Sequence, residues 1–358
     1  MEQTVYSQDE ILAEHRFAEK MSHDGRTIHG GLDSEGRYLP PRSLNRIDAI
    51  RTWAKQVSEA GHKLDVMDRK AVMEMFEFFP TVDQAKLLLE HGCKDAMTRL
   101  LTMIGIVEGF GNDGIKLMPE LDMASYFVES VEGTCLDHLH KGLLRAHGLD
   151  EAGSEHESGH DEMWFAIRDV ALDHPDVTDD MFENLPIAPP PGYTGRAKPA
   201  PEALSVGDTM ERLFPSLDPA LEMTLRGLAQ ILLVELGAYK TFAWAREVLA
   251  DPKASAAPDW APRMVDYIQA DEDIHVNYLQ CALAEARART FVATDGEKIP
   301  GPVVIDRVCE AAVERQSGAR MQRMMAHRYR NILNELEARP DGQQVLDEFK
   351  GLGPVPAL

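Results

Sequence analysis

At 358 residues and 44% hydrophobic, the chain can bury one large core or two modest ones without disulfides or metals. Its formal charge of -23, from 60 acidic against 37 basic residues, argues against nucleic acid and anionic lipid as partners. Cys93, Cys135, Cys281 and Cys309 stand far apart without CxxC spacing, the N-terminus MEQTVYSQDEILAEHRF lacks signal-peptide order, and no run of about 18 apolar residues occurs, so the expectation is a soluble cytoplasmic protein with reduced thiols.

Apolar residues recur at three- and four-residue spacing in segments rich in Ala, Leu, Met, Glu and Arg, and alternating strand-type segments are scarce, so the spacing predicts an all-α fold. Residues 1 to about 42 read as irregular, with helices near 43–61, 67–79 and 82–109. Together these form an N-terminal helical extension, 1–112, without clear chemistry. A second helical block is expected over about 119–182. The polar, proline-rich insertion 184–208 cannot be helical and reads as a linker or covering loop. A long helix near 219–249, a break at DPKASAAPDWAP and a helix near 261–290 complete a unit over 113–292. A last helix near 302–338, within 293–358, packs on it.

Glu235 lies in ILLVELGAYKTFAW, so apolar that part of every helical face must be buried. A carboxylate there is protonated, paired with a cation or bound to a metal, because burying it ionised and alone costs many kcal/mol. On the next helix Ile268, Glu272, His275 and Leu279 share one stripe, so Glu272 and His275 can grip one metal. The midpoint of Glu235 and Glu272 falls at residues 253 to 254, inside the break, so an antiparallel hairpin would bring both carboxylates to one level. Upstream, EHESGHDEMWFAIRDVAL repeats the arrangement with Glu157 and His160, continued by Trp164 and Ile167. Before it, Glu129, with Glu132 as the alternate, interrupts the mainly apolar segment MASYFVESVEGTCLDHLHKGL.

The order Glu, Glu-x-x-His, Glu, Glu-x-x-His resembles the ferritin-like di-iron and di-manganese carboxylate proteins over about 119–290. The resemblance implies a ferritin-like four-helix bundle core with additional N- and C-terminal helices. It implies Glu129 (or Glu132), Glu157, His160, Glu235, Glu272 and His275 as ligands to two Fe ions, or to Mn/Fe or Mn. It further implies a non-haem oxidase or oxygenase that takes O2 as co-substrate, draws on an electron donor and oxidises a small organic molecule, with Tyr239 as a redox or neighbouring residue. A homodimer is left open.

Blander readings stand beside this one. With 31 Glu and 13 His, chance supplies about one Glu-x-x-His and the chain has three, so the motif alone carries little. The third, Glu59 and His62, reads as a solvated surface pair. His138 and His140 read as helix-surface or supporting residues, Tyr239 as plain core, and the Met-rich stretch ARMQRMMAHRYRNIL as core or as a lining for a flexible apolar substrate. The alternatives to an oxygenase are a ferritin-like iron-oxidising protein and a non-enzymatic helical interaction protein.

Overall fold

A computed structural model describes residues 3–23, 26–189, 196–200, 211–316 and 318–358, so most of the proline-rich insertion lies outside the described residues. The fold is mostly helical with a few short strands. After a one-turn helix α1 (Gln8–Ile11), strands β1 (Glu19–His23), β2 (Arg26–Leu32) and β3 (Tyr38–Leu39) form a small antiparallel sheet in the region expected to be irregular. Then come α2 (Arg46–Glu59), α3 (Arg69–Met75), α4 (Val82–Glu90) and α5 (Lys94–Lys116). The expected helix 82–109 is thus two helices, divided where the chain turns at Gly92.

The block expected over 119–182 is the largest departure. Met123–Tyr126 is a single 3-10 turn, residues 127 to 133 are not helical, and a four-residue α6 (Cys135–His138) leads through a kinked, π-like turn (Leu139–Leu143), non-helical at Lys141 and Gly142, into α7 (Leu144–Ala152). Gly142 makes that π turn possible, with φ +129 and with Ile11 only 2.9 Å from where a Cβ would sit. Helix α8 (His160–Ala171) follows a short loop.

Helices α9 (Pro219–Leu249) and α10 (Ala261–Arg287) match the expected spans closely. They run antiparallel, as the pairings of Arg246 with Asp266 and of Tyr239 with Asp273 require. A short hairpin of β4 (Thr290–Val292) and β5 (Lys298–Pro300) precedes α11 (Gly301–Gln316), α12 (Ala319–Glu337) and α13 (Gly342–Gly351), where one helix near 302–338 was expected. No described helix is long and apolar enough to cross a membrane.

Two apolar clusters fill the interior. One takes Leu225 to Tyr239 of α9 and Ile274 to Ala286 of α10, the other Phe242 to Leu249 and Met264 to Ile268 of the same helices. Near the level where they meet, four helices contribute ionisable side chains to one buried polar layer, and half-buried Glu108 of a fifth, α5, lies beside it.

Candidate metal centre

Helix α9 brings Glu235 to this layer, and α10 brings Asp271, Glu272 and His275, all buried. Helix α8 adds His160 from its first turn. The π turn re-aims α7 so that His147, Asp150 and Glu151 face the same volume. Helix α5 passes close to α7 because Gly111 has no side chain: a Cβ there would lie 2.9 Å from the Glu151 side chain.

Three buried groups offer ligand atoms within 4.8 Å of one another and can each hold a metal: His147, Glu151, Glu235 and His275; Glu151, His160 and Glu272; and His29, His160 and Asp271. Glu151 belongs to the first two. Its Oε1 lies 3.4 Å from His147 Nε2, 3.3 Å from His275 Nδ1 and 3.4 Å from His160 Nδ1. Glu235 Oε1 is 3.1 Å from His147 Nε2, and Glu272 Oε1 is 2.9 Å from His160 Nδ1. His147 Nε2, Glu151 Oε1, His160 Nδ1 and Glu272 Oε1 are nevertheless buried without a well-formed hydrogen bond. Such atoms are rare and costly in folded proteins, and here four of them gather in one small volume. One cation in each of the first two groups would satisfy all four, so the residues present fit bound metal.

The opposite nitrogen of each imidazole is held from outside. His147 Nδ1 bonds with Tyr278 Oη at 2.8 Å, His160 Nε2 with Asp271 Oδ2 at 3.2 Å, and His275 Nε2 with Asp150 Oδ2 at 3.0 Å. This arrangement fixes ring orientation and leaves the inward nitrogens as donors to a metal. A further ring of contacts supports it: Arg46 Nη2 donates to Asp150 Oδ2 at 2.7 Å, Arg42 donates to Asp150 Oδ1 at 2.6 Å, and Tyr38 Oη donates to Asp271 Oδ2 at 2.8 Å.

The electrostatics separate the carboxyls. Burial, with the charges of Glu272 and Glu151, pushes the Glu235 carboxyl well above the usual range, and the same causes raise Glu108. Burial would also raise Glu151, but His160 and the other imidazoles hold it well below. Glu272 falls to about 2 against burial and the Glu151 charge because His160 and His275 face it. Desolvation would make His160 and His275 neutral, yet Glu272 and its neighbours keep both pKa values well above the ordinary imidazole range. His147 is lowered by burial and by the charge of His275, stacked on it at 3.7 Å. Without a cation the layer balances its charge with protons.

The structure thus brings together Glu235, Glu272, His275 and His160. Glu157 does not join them: helix α8 begins only at His160, so Glu157 sits in the preceding loop, where it accepts from Arg42 Nη1 at 3.0 Å and from the Gly30 amide at 3.4 Å. Glu129 lies exposed in a bend and accepts from the Thr290 amide at 2.8 Å and hydroxyl at 3.0 Å, and Glu132 is exposed in the turn before α6. Neither is on a helix, so neither reaches the layer. Tyr239 donates its hydroxyl to Asp273, with the Arg69 guanidinium 4.5 Å above its ring.

Sequence reasoning missed His147, Glu151 and Glu108. His147 and Glu151 stand at i, i+4 in AHGLDE, a spacing that places both on one helical face. Glu108 follows MIGIV and invites the argument applied to Glu235. It belongs to none of the three groups, but it accepts from Trp164 Nε1 at 3.1 Å and its carboxyl feels Glu272 and Glu151.

No protein-family model matches this chain. Comparison with curated proteins and with solved structures returns no match either. The site is therefore read from its own geometry.

Proposed function

We propose that this chain is a carboxylate-bridged di-metal protein of ferritin-like character, a non-haem di-iron or manganese–iron oxidase or oxygenase acting on a small organic molecule. One observation carries the reading: four buried, unsatisfied ligand atoms on three helices converge, and Glu151 is shared between two groups that can each hold a metal. His147, Glu235 and His275 would hold one ion and His160 and Glu272 the other. Glu151 would lie between them, and Glu108 is poised to complete the second. Carboxylate oxygens with imidazole nitrogens, and no thiolate in these groups, suit iron or manganese.

When bound, the pair supplies redox chemistry toward O2, with electrons from an external donor. The chain's own part is positional. Tyr278, Asp271 and Asp150 hold the three imidazoles, Arg42 and Arg46 keep Asp150 ionised, and the apolar clusters on either side keep water from the layer. An apolar cleft reaching Glu108 favours an organic substrate over iron storage.

The test is elemental analysis of protein from iron- or manganese-supplemented medium. About two metal ions per chain are expected. His147→Ala and Glu272→Ala should lose most of the metal, whereas Glu129→Ala should keep it. A folded wild-type protein that stays metal-free under both loadings would show a helical protein whose imidazole and carboxylate pairs serve packing alone.

A further inference from the structure

Beside the polar layer, a cleft runs between α5, α9 and α12. Phe76, Val107, Val234, Ala238 and Met324 give it apolar walls around a cavity of about 120 Å3 that is open to solvent at its mouth. Val107 adjoins Glu108, which itself lines the cleft, and Val234 adjoins Glu235, so the cleft backs directly onto helices that carry the candidate ligands. Met321 and Met324 face it from α12, flexible side chains suited to ligands of irregular shape.

One residue in this lining is out of character. Arg328, one turn beyond Met324 on α12, places its guanidinium 4.4 Å over the Phe78 ring and donates from Nη1 to the Phe79 carbonyl at 3.0 Å. Its Nε is buried with no acceptor, and no carboxylate of the described residues lies within ion-pair distance. The acids across the neighbouring cavity are already engaged, Asp180 with Arg99 and Glu183 with Lys198. Arg42, Arg46 and Arg168, also drawn into the body, each hold a carboxylate. Desolvation accordingly pulls the Arg328 pKa down to about 9. Of the other charged groups lining the cleft, Glu77 and Lys240 are exposed, and Glu108 is held by Trp164.

A half-buried guanidinium whose buried Nε lacks an acceptor and which has no counter-ion is costly, and a planar donor fork fits a carboxylate. We infer that the cleft takes an organic acid, its carboxylate on Arg328 and its apolar body along Phe76, Val107 and Val234 toward Glu108. This deepens the proposed function, on which it rests for the chemistry at Glu108, by naming the substrate class. The acid is held at its charged head, and the apolar body presents its far carbons to the polar layer.

Calorimetric titration of the full-length, metal-loaded chain with octanoate and 3-phenylpropanoate, each against its own amide, tests this without turnover. At least one acid should bind about tenfold or more tightly than its amide, the effect of a charge-assisted hydrogen bond. Arg328→Gln should bring that pair to parity, and Arg328→Lys should recover part of the difference. Val234→Phe, which fills the cleft, should weaken acid and amide together. Parity in the wild type, a preference that survives Arg328→Gln, or acid binding indifferent to Val234→Phe would overturn the assignment. If Arg328→Gln does not fold, the wild-type comparison and Val234→Phe decide. Metal content of the same preparations separates the two proposals: acid selectivity in a chain that never loads metal removes the oxidase and keeps the cleft, and full metal content without selectivity does the reverse.

Discussion

Asp150 shows how much can rest on one side chain. It accepts from Arg46, Arg42 and His275 at once, and although burial alone would raise its carboxyl, the two guanidiniums hold it well below the usual range. Asp150→Asn would leave the buried Arg46 guanidinium without its counter-charge and Arg42 with Glu157 as its main remaining partner, so urea unfolding at neutral pH should show a loss of about 3–5 kcal/mol. The sign with pH follows from the direction of the shift. A depressed carboxyl contributes stability above its unfolded pKa and loses it as pH falls, so wild-type stability should decline below about pH 4 and this acid limb should flatten in the variant. An unfolding midpoint within error of wild type would show that the two arginines find other partners. At this scale the sequence was half legible. A carboxylate in a wholly apolar helix, such as Glu235, announces itself, and the same rule reaches Glu108. Glu151 could not be chosen over Glu157, because both stand among polar neighbours and only the late start of α8 separates them.

Among elements, the long helices were readable and the short irregular ones were not. Pro219 with the Asp218 cap opens α9, and a proline opens α10 likewise, so their spans follow from local chemistry. The segment from 119 to 152 has a helical composition, but its course depends on Gly142 packing against Ile11, which lies more than a hundred residues upstream. That contact sets the direction of α7 and hence the aim of His147 and Glu151. Gly142→Ala should destabilise the fold by about 1–3 kcal/mol, since alanine at positive φ is strained and its methyl meets Ile11. It should also lower metal content more than its stability loss accounts for. Chemical denaturation alongside elemental analysis checks both, and unchanged metal content would show that α7 finds its place without the π turn.

Across the whole molecule, metal binding of the proposed kind would exchange protons for metal at this layer. Glu235 and Glu108 hold protons above the normal carboxyl range, and His160 and His275 hold theirs above the normal imidazole range. Binding a cation must displace some of them, so metal affinity should fall as pH is lowered. Adding ferrous ion anaerobically to a weakly buffered solution at pH 7 should release more than one proton per chain, read with an indicator dye, and none would count against the site. Chelation should lower the melting temperature reversibly, by an amount equivalent to about 2.7 kcal/mol when the metal had been at a hundred times its Kd. The overall helical class was legible from periodicity. The small N-terminal sheet was not, because its strands are short and rich in glycine and polar residues, and His29 on β2 joins the outer edge of the polar layer.

The spread of the site and its neighbour Glu108 over five helices also bears on synthesis. Glu108 emerges early, His147, Glu151 and His160 follow, and Glu272 and His275 come about 170 residues after the first. At about 5–20 residues per second, a nascent chain holds an incomplete set of unpaired acids and imidazoles for roughly 10 to 30 s. A metal captured in that interval would be held by loose, incomplete ligation. If the proposed metals bind, correct loading would therefore follow the emergence of α10, when it closes against α9 and brings Glu272 and His275 together.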